Sequence, residues 1–307
     1  MIEWPDGKDF AFTVFDDTDR ATIANVGEVY AFLSEHGFRT TKSVWPLGEE
    51  AAHEGVGSTC ENQEYLAWLK QLQVSGFEIG YHMSTFRSSV RGKTIRAIER
   101  FAELFGHYPK TMSNHVNCRE NLYWGSHRVS GFNRIIYNVL TRNRRNNKYK
   151  GHIRGTKYFW GDISKEKIKY VRNFVFPDIN TLSVCPMMPY HDPDRRYVNY
   201  WFASSGGSIA ADFNECVSEK NQDQLEAENG ACIMYTHFSF GFYQNGKLNK
   251  RFKYLMKRLG NKNGWFVPVS ELLDYLLNFK GHHIIKNKER NWLERKWLSS
   301  KILIGTR

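Results

Sequence analysis

Two carboxylates, Asp16 and Asp17, stand side by side where the apolar run "FTVFDDTD" (12–19) turns acidic, and Asp19 follows two places on. Adjacent like charges repel, so a strand that delivers both at its tip implies that a cation shares the tip. Three more strand-like segments finish in imidazoles: "FEIGYH" in His82, "KTMSNH" in His115 and "ACIMYTH" in His237. Oxygen and nitrogen donors of this kind suit zinc or a similar divalent ion that keeps one position open for water, and the ion would relieve the repulsion between the aspartates. One aspartate can then hold the metal while the other deprotonates water, and a histidine across the site can protonate a departing amine. Those parts suit hydrolysis of an amide or ester. Taken singly, each residue has a plainer reading. A lone strand-end histidine is more often a hydrogen-bonded structural residue, and Asp17 or Asp19 could cap the helix that begins near "RATIANV". The joint order of the groups favours the chemical reading.

The elements that must bring these groups together alternate strand and helix. "ATIANVGEVYAFLSEHG" carries Ile23, Val26, Val29 and Leu33 at helical spacing and closes on Gly37. "FRTTKSVWP" reads as a second strand, "ENQEYLAWLKQLQVSG" as a helix, and "TIRAIERFAELFG" as the helix before the strand that ends in His115. Near the end, "GWFVPV" reads as a strand and "SELLDYLLNF" as a helix. Such alternation predicts βαβ crossovers and a parallel sheet. The expected fold is α/β, a distorted (β/α) barrel of about seven parallel strands, with long inserted loops in the less regular region 125–230. In such barrels reactive groups gather where strands end and loops begin.

The order "TVFDD", a strand running into His82 and a last-third "IMYTH" resembles the polysaccharide deacetylases (NodB-homology domains, carbohydrate esterase family four). The terminal "WFVPVSELLDYL" is similar to that family's closing strand and helix, and the resemblance spans roughly residues 8–280. It implies a NodB-like barrel in which Asp16 is the catalytic base, Asp17 and His82 are metal ligands, and His237 is the general acid. The sequence departs from the family in two places. The family's second histidine, four residues after the first, is here Phe86, and its arginine–proline–aromatic segment is replaced by "SNHVNCRENLYWG" (113–125). His115 is expected as the replacement ligand, with Asp19, Ser84 or water as alternatives, or the metal site has decayed. Arg119 would stand beside the base, with Tyr123 and Trp124 lining the cleft. By the same resemblance "YFWGD" (158–162) offers Trp160 and Asp162 as residues supporting the site, and His191 in "PYHDPDRR" could touch substrate. For these last groups, packing or solvation is an equal reading.

The rest of the chain narrows the function. A length of 307 residues allows one large domain or two small ones. The start "MIEWPDGKDF" lacks the pattern of a secretory signal, and the five cysteines are odd in number and widely spaced, so a reducing cytoplasmic location is expected. The net charge of +11 is uneven: residues 128–157 contain no acidic residue, and "KNKERNWLERKWLSSK" (286–301) mixes basic residues with Trp292, Leu293 and Trp297. This predicts a barrel over 1–283 and a basic amphipathic tail over 284–307 that rests on the inner membrane face. Basic surface also suits phosphorylated partners such as nucleotide- or lipid-linked sugars. No nucleic-acid-binding motif is present, and adjacent aspartates are too close for the two-carboxylate geometry of glycoside hydrolases. The expected activity is a Zn2+-dependent removal of an N-acetyl group from an amino sugar, in surface-polysaccharide or O-antigen biosynthesis. The alternative is a non-catalytic carbohydrate-binding relative.

Overall fold

Phe10–Asp16 forms the first strand, β1, and all of its residues are buried. A barrel strand must be apolar on both faces, because one meets the barrel interior and the other the surrounding helices. The computed structural model describes residues 2–48 and 55–304, and in it β1 belongs to a closed ring. The ring runs through β2 (Thr41–Val44), β3 (Glu78–Tyr81), β4 (Thr111–Met112), β5 (Tyr170–Phe176), β6 (Tyr200–Gly206) and β7 (Ala231–Thr236). β7 returns to β1 in parallel register from Ala11↔Ala231 to Asp16↔Thr236. The protein is thus the expected (β/α) barrel of seven parallel strands. Its strands are assigned differently from expectation in one respect. β5 and β6 come from the middle region expected to hold insertions, whereas "GWFVPV" contributes only Gly264–Trp265, paired with the start of β1 outside the ring.

Helices cover the ring. α1 (Ile23–Glu35) buries Val26, Val29, Tyr30 and Leu33, and the Thr22 amide donates to Asn25 Oδ1 at 2.8 Å at its start. The left-handed Gly37 follows its end. α2 (Gln63–Val74) is capped by Asn62, whose side chain accepts from the Tyr65 amide at 2.8 Å. α3 (Arg91–Phe105) buries Ala97, Ile98, Phe101 and Phe105 and ends at the left-handed Gly106. α4 (Gly131–Leu140) lies in the long connection from β4 to β5. It turns Tyr137 inward but leaves Phe132, Ile135 and Val139 59–72% exposed on one face.

The expected separate tail is corrected by the structure. Asn287–Ile304 is a helix docked on the barrel; residues 305–307 lie outside the described residues. Trp297 stacks on Tyr137 at 5.8 Å and packs on Phe174 of β5 at 5.0 Å. Glu294 is fully buried and accepts from the Ser130 amide, Asn133 Nδ2 and an Arg195 amino group at 2.9–3.0 Å. The apolar stripe read as membrane-facing is therefore mostly a core contact, with Trp292 left outside. Among the described residues, no helix is long and apolar enough to cross a membrane.

Candidate metal centre

Alternation along β1 decides which aspartate enters the barrel. Phe15 points inward, where the Arg172 guanidinium lies over its ring at 5.1 Å. Asp16 therefore points back toward the helices. There its carboxylate meets Lys42 Nζ at 3.0 Å and Tyr30 Oη at 2.9 Å, and it accepts from the Phe238 amide at 2.8 Å. Both ends of the Asp16–Lys42 pair are fully buried. Asp17 turns inward again and receives both arms of Arg172, at 3.0 and 2.6 Å, together with the Ser113 hydroxyl at 2.9 Å.

Asp19, two residues on, is where the imidazoles converge. His82 Nε2 lies 3.1 Å from Asp19 Oδ2, His115 Nε2 2.9 Å from Oδ1, and His237 Nε2 3.4 Å from Oδ2. Three strand ends thus supply one histidine each. The far nitrogens are tethered: His82 Nδ1 to Ser113 Oγ at 2.6 Å, His237 Nδ1 to the Ser208 carbonyl at 2.9 Å, and His115 Nδ1 lies 3.6 Å from Cys118 Sγ. His115 is further set by Asn121, which bonds its backbone N–H and C=O at 3.2 and 2.5 Å. Phe86 packs on the His115 ring at 5.0 Å and on Trp45 at 5.5 Å. Phe86 thus forms an aromatic wall four residues after His82, where a second histidine is expected by resemblance, and His115 comes in from β4.

The tethers test whether the cluster fits a metal. Ser113 has one hydroxyl hydrogen, which it gives to Asp17. It must therefore accept from His82, so His82 carries its hydrogen on Nδ1 and presents a bare Nε2 lone pair when neutral. The carbonyl of Ser208 imposes the same tautomer on His237. Bare imidazole nitrogens facing a carboxylate repel it unless the rings are protonated or a cation lies between them. Asp19, His82 and His115 have donor atoms within 4.8 Å of one another, as do Asp17, Asp19 and His237. The donor set fits a divalent ion.

Electrostatics follow the same lines. Burial alone would raise Asp19, but hydrogen bonds from His115, His237 and His82 outweigh it and hold its carboxyl far below the usual range. For Asp17, burial is likewise overcome, by Arg172 and then His82, so it stays ionised. Burial lowers His237, yet Asp19 and Asp17 pull it above its ordinary value.

The remaining expected site residues are spread more widely. His82, His115, His237 and Asp17 come together, and Asp19 joins them. Asp16 does not face the histidines; its carboxylate is committed to Lys42, Tyr30 and the Phe238 amide. Arg119 is exposed, and the guanidinium beside an aspartate is that of Arg172. Tyr123 stacks on His152 at 4.3 Å, and Trp124 lies 3.3 Å beneath the Arg128 guanidinium. Trp160 is buried and donates to the Glu120 carbonyl at 2.6 Å, whereas Asp162 is a surface partner of Arg91 at 2.6 Å. His191 bonds the Asn199 carbonyl beside Tyr200, at the opening residue of β6 and so at the far end of the barrel from Asp17. Arg172 and Ser113 were missed. The available signal was a single arginine inside the apolar "YVRNFVF", which an inward carboxylate would explain.

No family profile matches the sequence, and no curated protein does. Solved structures do share the chain's fold. It resembles a protein from Mycobacterium smegmatis assigned as a polysaccharide deacetylase, with a TM-score of 0.53 and 12% identity, covering 93% of this chain and 96% of that one. It also resembles a protein of the same assignment from Pseudomonas aeruginosa PAO1, with a TM-score of 0.52 and 10% identity, covering 90% and 93%. At the level of fold, the chain is similar to polysaccharide deacetylases.

Proposed function

We propose that the protein is a metal-dependent hydrolase that removes an N-acetyl group from an amino sugar of a surface polysaccharide or its nucleotide- or lipid-linked precursor. The observation that carries this reading is the meeting of His82, His115 and His237 on Asp19, next to an aspartate held by Arg172. Asp19, His82 and His115 would hold the ion, with zinc favoured by the nitrogen and oxygen donors. When bound, it would supply Lewis acidity toward the acyl carbonyl oxygen. Asp17, rather than Asp16, is the base. Arg172 and Ser113 orient its carboxylate and keep it ionised, ready to take the proton of the attacking water. As the carbon–nitrogen bond breaks, His237 gives a proton from Nε2 to the departing amine while Ser208 holds its other nitrogen. Asp16 fixes the loop that carries His237 through the Phe238 amide.

The basic, acid-free stretch 128–157 supports a phosphorylated precursor as substrate. The exposed apolar face of α4, next to Arg142 and Arg144, supports peripheral contact with an anionic membrane in place of the docked tail. The test is to load the purified chain with Co2+ and measure acetate release from N-acetylated amino-sugar oligosaccharides. One equivalent of metal and release of acetate are expected, with both reduced in His115→Ala. A chain that takes up no metal would overturn the reading and leave a carbohydrate-binding relative.

A further inference from the structure

Arg128 is a buried cation without an anion. The residue is only 8% exposed, and among the described residues no carboxylate or other acceptor meets its guanidinium. Its Nε has no hydrogen-bond partner. The guanidinium lies 3.3 Å over Trp124 and 5.0 Å from Trp297, which orients it but supplies no negative charge. Its backbone is pinned by Arg195, which donates to the Arg128 carbonyl at 2.8 Å. Burying an unpaired charge is costly, and an anion seated against this guanidinium would remove the cost.

The neighbours deepen the imbalance. Two further cations border Arg128: Arg145 precedes Asn146, whose side chain accepts from Ser126 at 3.3 Å two residues before Arg128, and Lys301 stands one helical turn beyond Trp297, the ring 5.0 Å from the Arg128 guanidinium. Burial first, and then Arg145 and Arg172, lower the basicity of Arg128. Neither Arg145 nor Lys301 has a carboxylate partner among the described residues. The cluster also borders the metal-type centre: Trp297, 5.0 Å from the Arg128 guanidinium, packs at 5.0 Å on Phe174, two residues along β5 from the Arg172 that holds Asp17. A single carboxylate would leave this group of cations largely uncompensated, whereas a diphosphate carries enough charge and enough acceptor oxygens for it.

We propose that Arg128, Arg145 and Lys301 form a diphosphate-binding subsite beside the metal-type centre, oriented by the stack of Arg128 on Trp124. The subsite rests on the hydrolase reading for its purpose: it would hold the phosphorylated end of a carrier-linked sugar while the acetamide reaches Asp17. The shared chemistry is the diphosphate, whether on a soluble nucleotide sugar or on a polyisoprenyl carrier.

The test is calorimetric titration of the full-length chain with inorganic diphosphate. Saturable, salt-sensitive binding is expected, weakened about tenfold or more in both Arg128→Met and Arg145→Gln. Arg142→Gln, an exposed arginine of the same segment, should bind as the parent does. If Arg128→Met fails to fold, Arg145→Gln decides. Binding that survives both substitutions, or that is lost instead in His115→Ala, overturns the subsite. A chain that loads Co2+ yet ignores diphosphate removes the subsite and leaves the hydrolase reading standing; diphosphate binding without metal loading does the reverse. Competition by a nucleoside-diphosphate sugar, compared with vesicles carrying a polyisoprenyl-diphosphate sugar, then separates the two carriers.

Discussion

Asp17 meets Arg172 and Ser113 inside the barrel, whereas Asp16 meets Lys42 and Tyr30 behind it. The motif "DD" announces two acids at a strand tip but not which one faces in. That depends on the strand's phase, and a shift of one residue exchanges the faces. Asp17 continues the strand's alternation inward, and Asp19 is brought to the histidines by the turn that follows, closed by the Ala21 N–H on the Thr18 carbonyl at 3.0 Å. The two aspartates should therefore fail in different ways. Asp17→Asn is expected to lower acetate release by about 100- to 10,000-fold, as loss of a general base does, while Co2+ uptake persists; because it also leaves the buried Arg172 guanidinium without its carboxylate, some stability is lost with it. Asp16→Ala strands the buried Lys42 ammonium and should cost about 3–5 kcal/mol of stability, read by urea unfolding. Equal losses of activity with no change in stability for either variant would contradict this division.

At the scale of elements, legibility followed periodicity. β1, β3 and β7 carry apolar runs that end in ionisable groups, so the aspartates of the first and the histidines of the other two could be read before any coordinates. β5 and β6 lie between short helices and irregular loops, and "YVRNFVF" interrupts its apolar pattern with Arg172, so the strand that holds the base was hidden with it. The C-terminal segment was misread for a related reason. An amphipathic basic helix looks the same whether its apolar stripe faces lipid or protein, and only the partners Tyr137 and Phe174 decide. α4 now carries the outward apolar stripe. Replacing Ile135 with Glu should reduce sedimentation with phosphatidylserine-containing vesicles severalfold and leave Co2+ uptake intact, because that side chain is 59% exposed. Truncation before Asn287 should instead destabilise the whole chain, since it removes Glu294 and Trp297 from the core. A truncated protein with unchanged melting temperature would show that the helix is dispensable.

For the whole molecule, ring closure and site assembly are one arrangement. The first strand pairs with the seventh, and the Asp16 carboxylate bonds the Phe238 amide across a separation of 222 residues. Asp17 and Asp19 follow the first strand, and His237 follows the last. Contacts so distant along the chain are the slow ones to form, because long loops must be ordered before they are rewarded. The centre has no local precursor: until residues beyond 236 have emerged and found β1, His237 has no neighbour to act on. Recovery of cobalt absorbance after dilution from urea should accordingly keep pace with the final phase of tryptophan fluorescence and never precede it. A nascent chain released early would hold most of the helices and none of the chemistry.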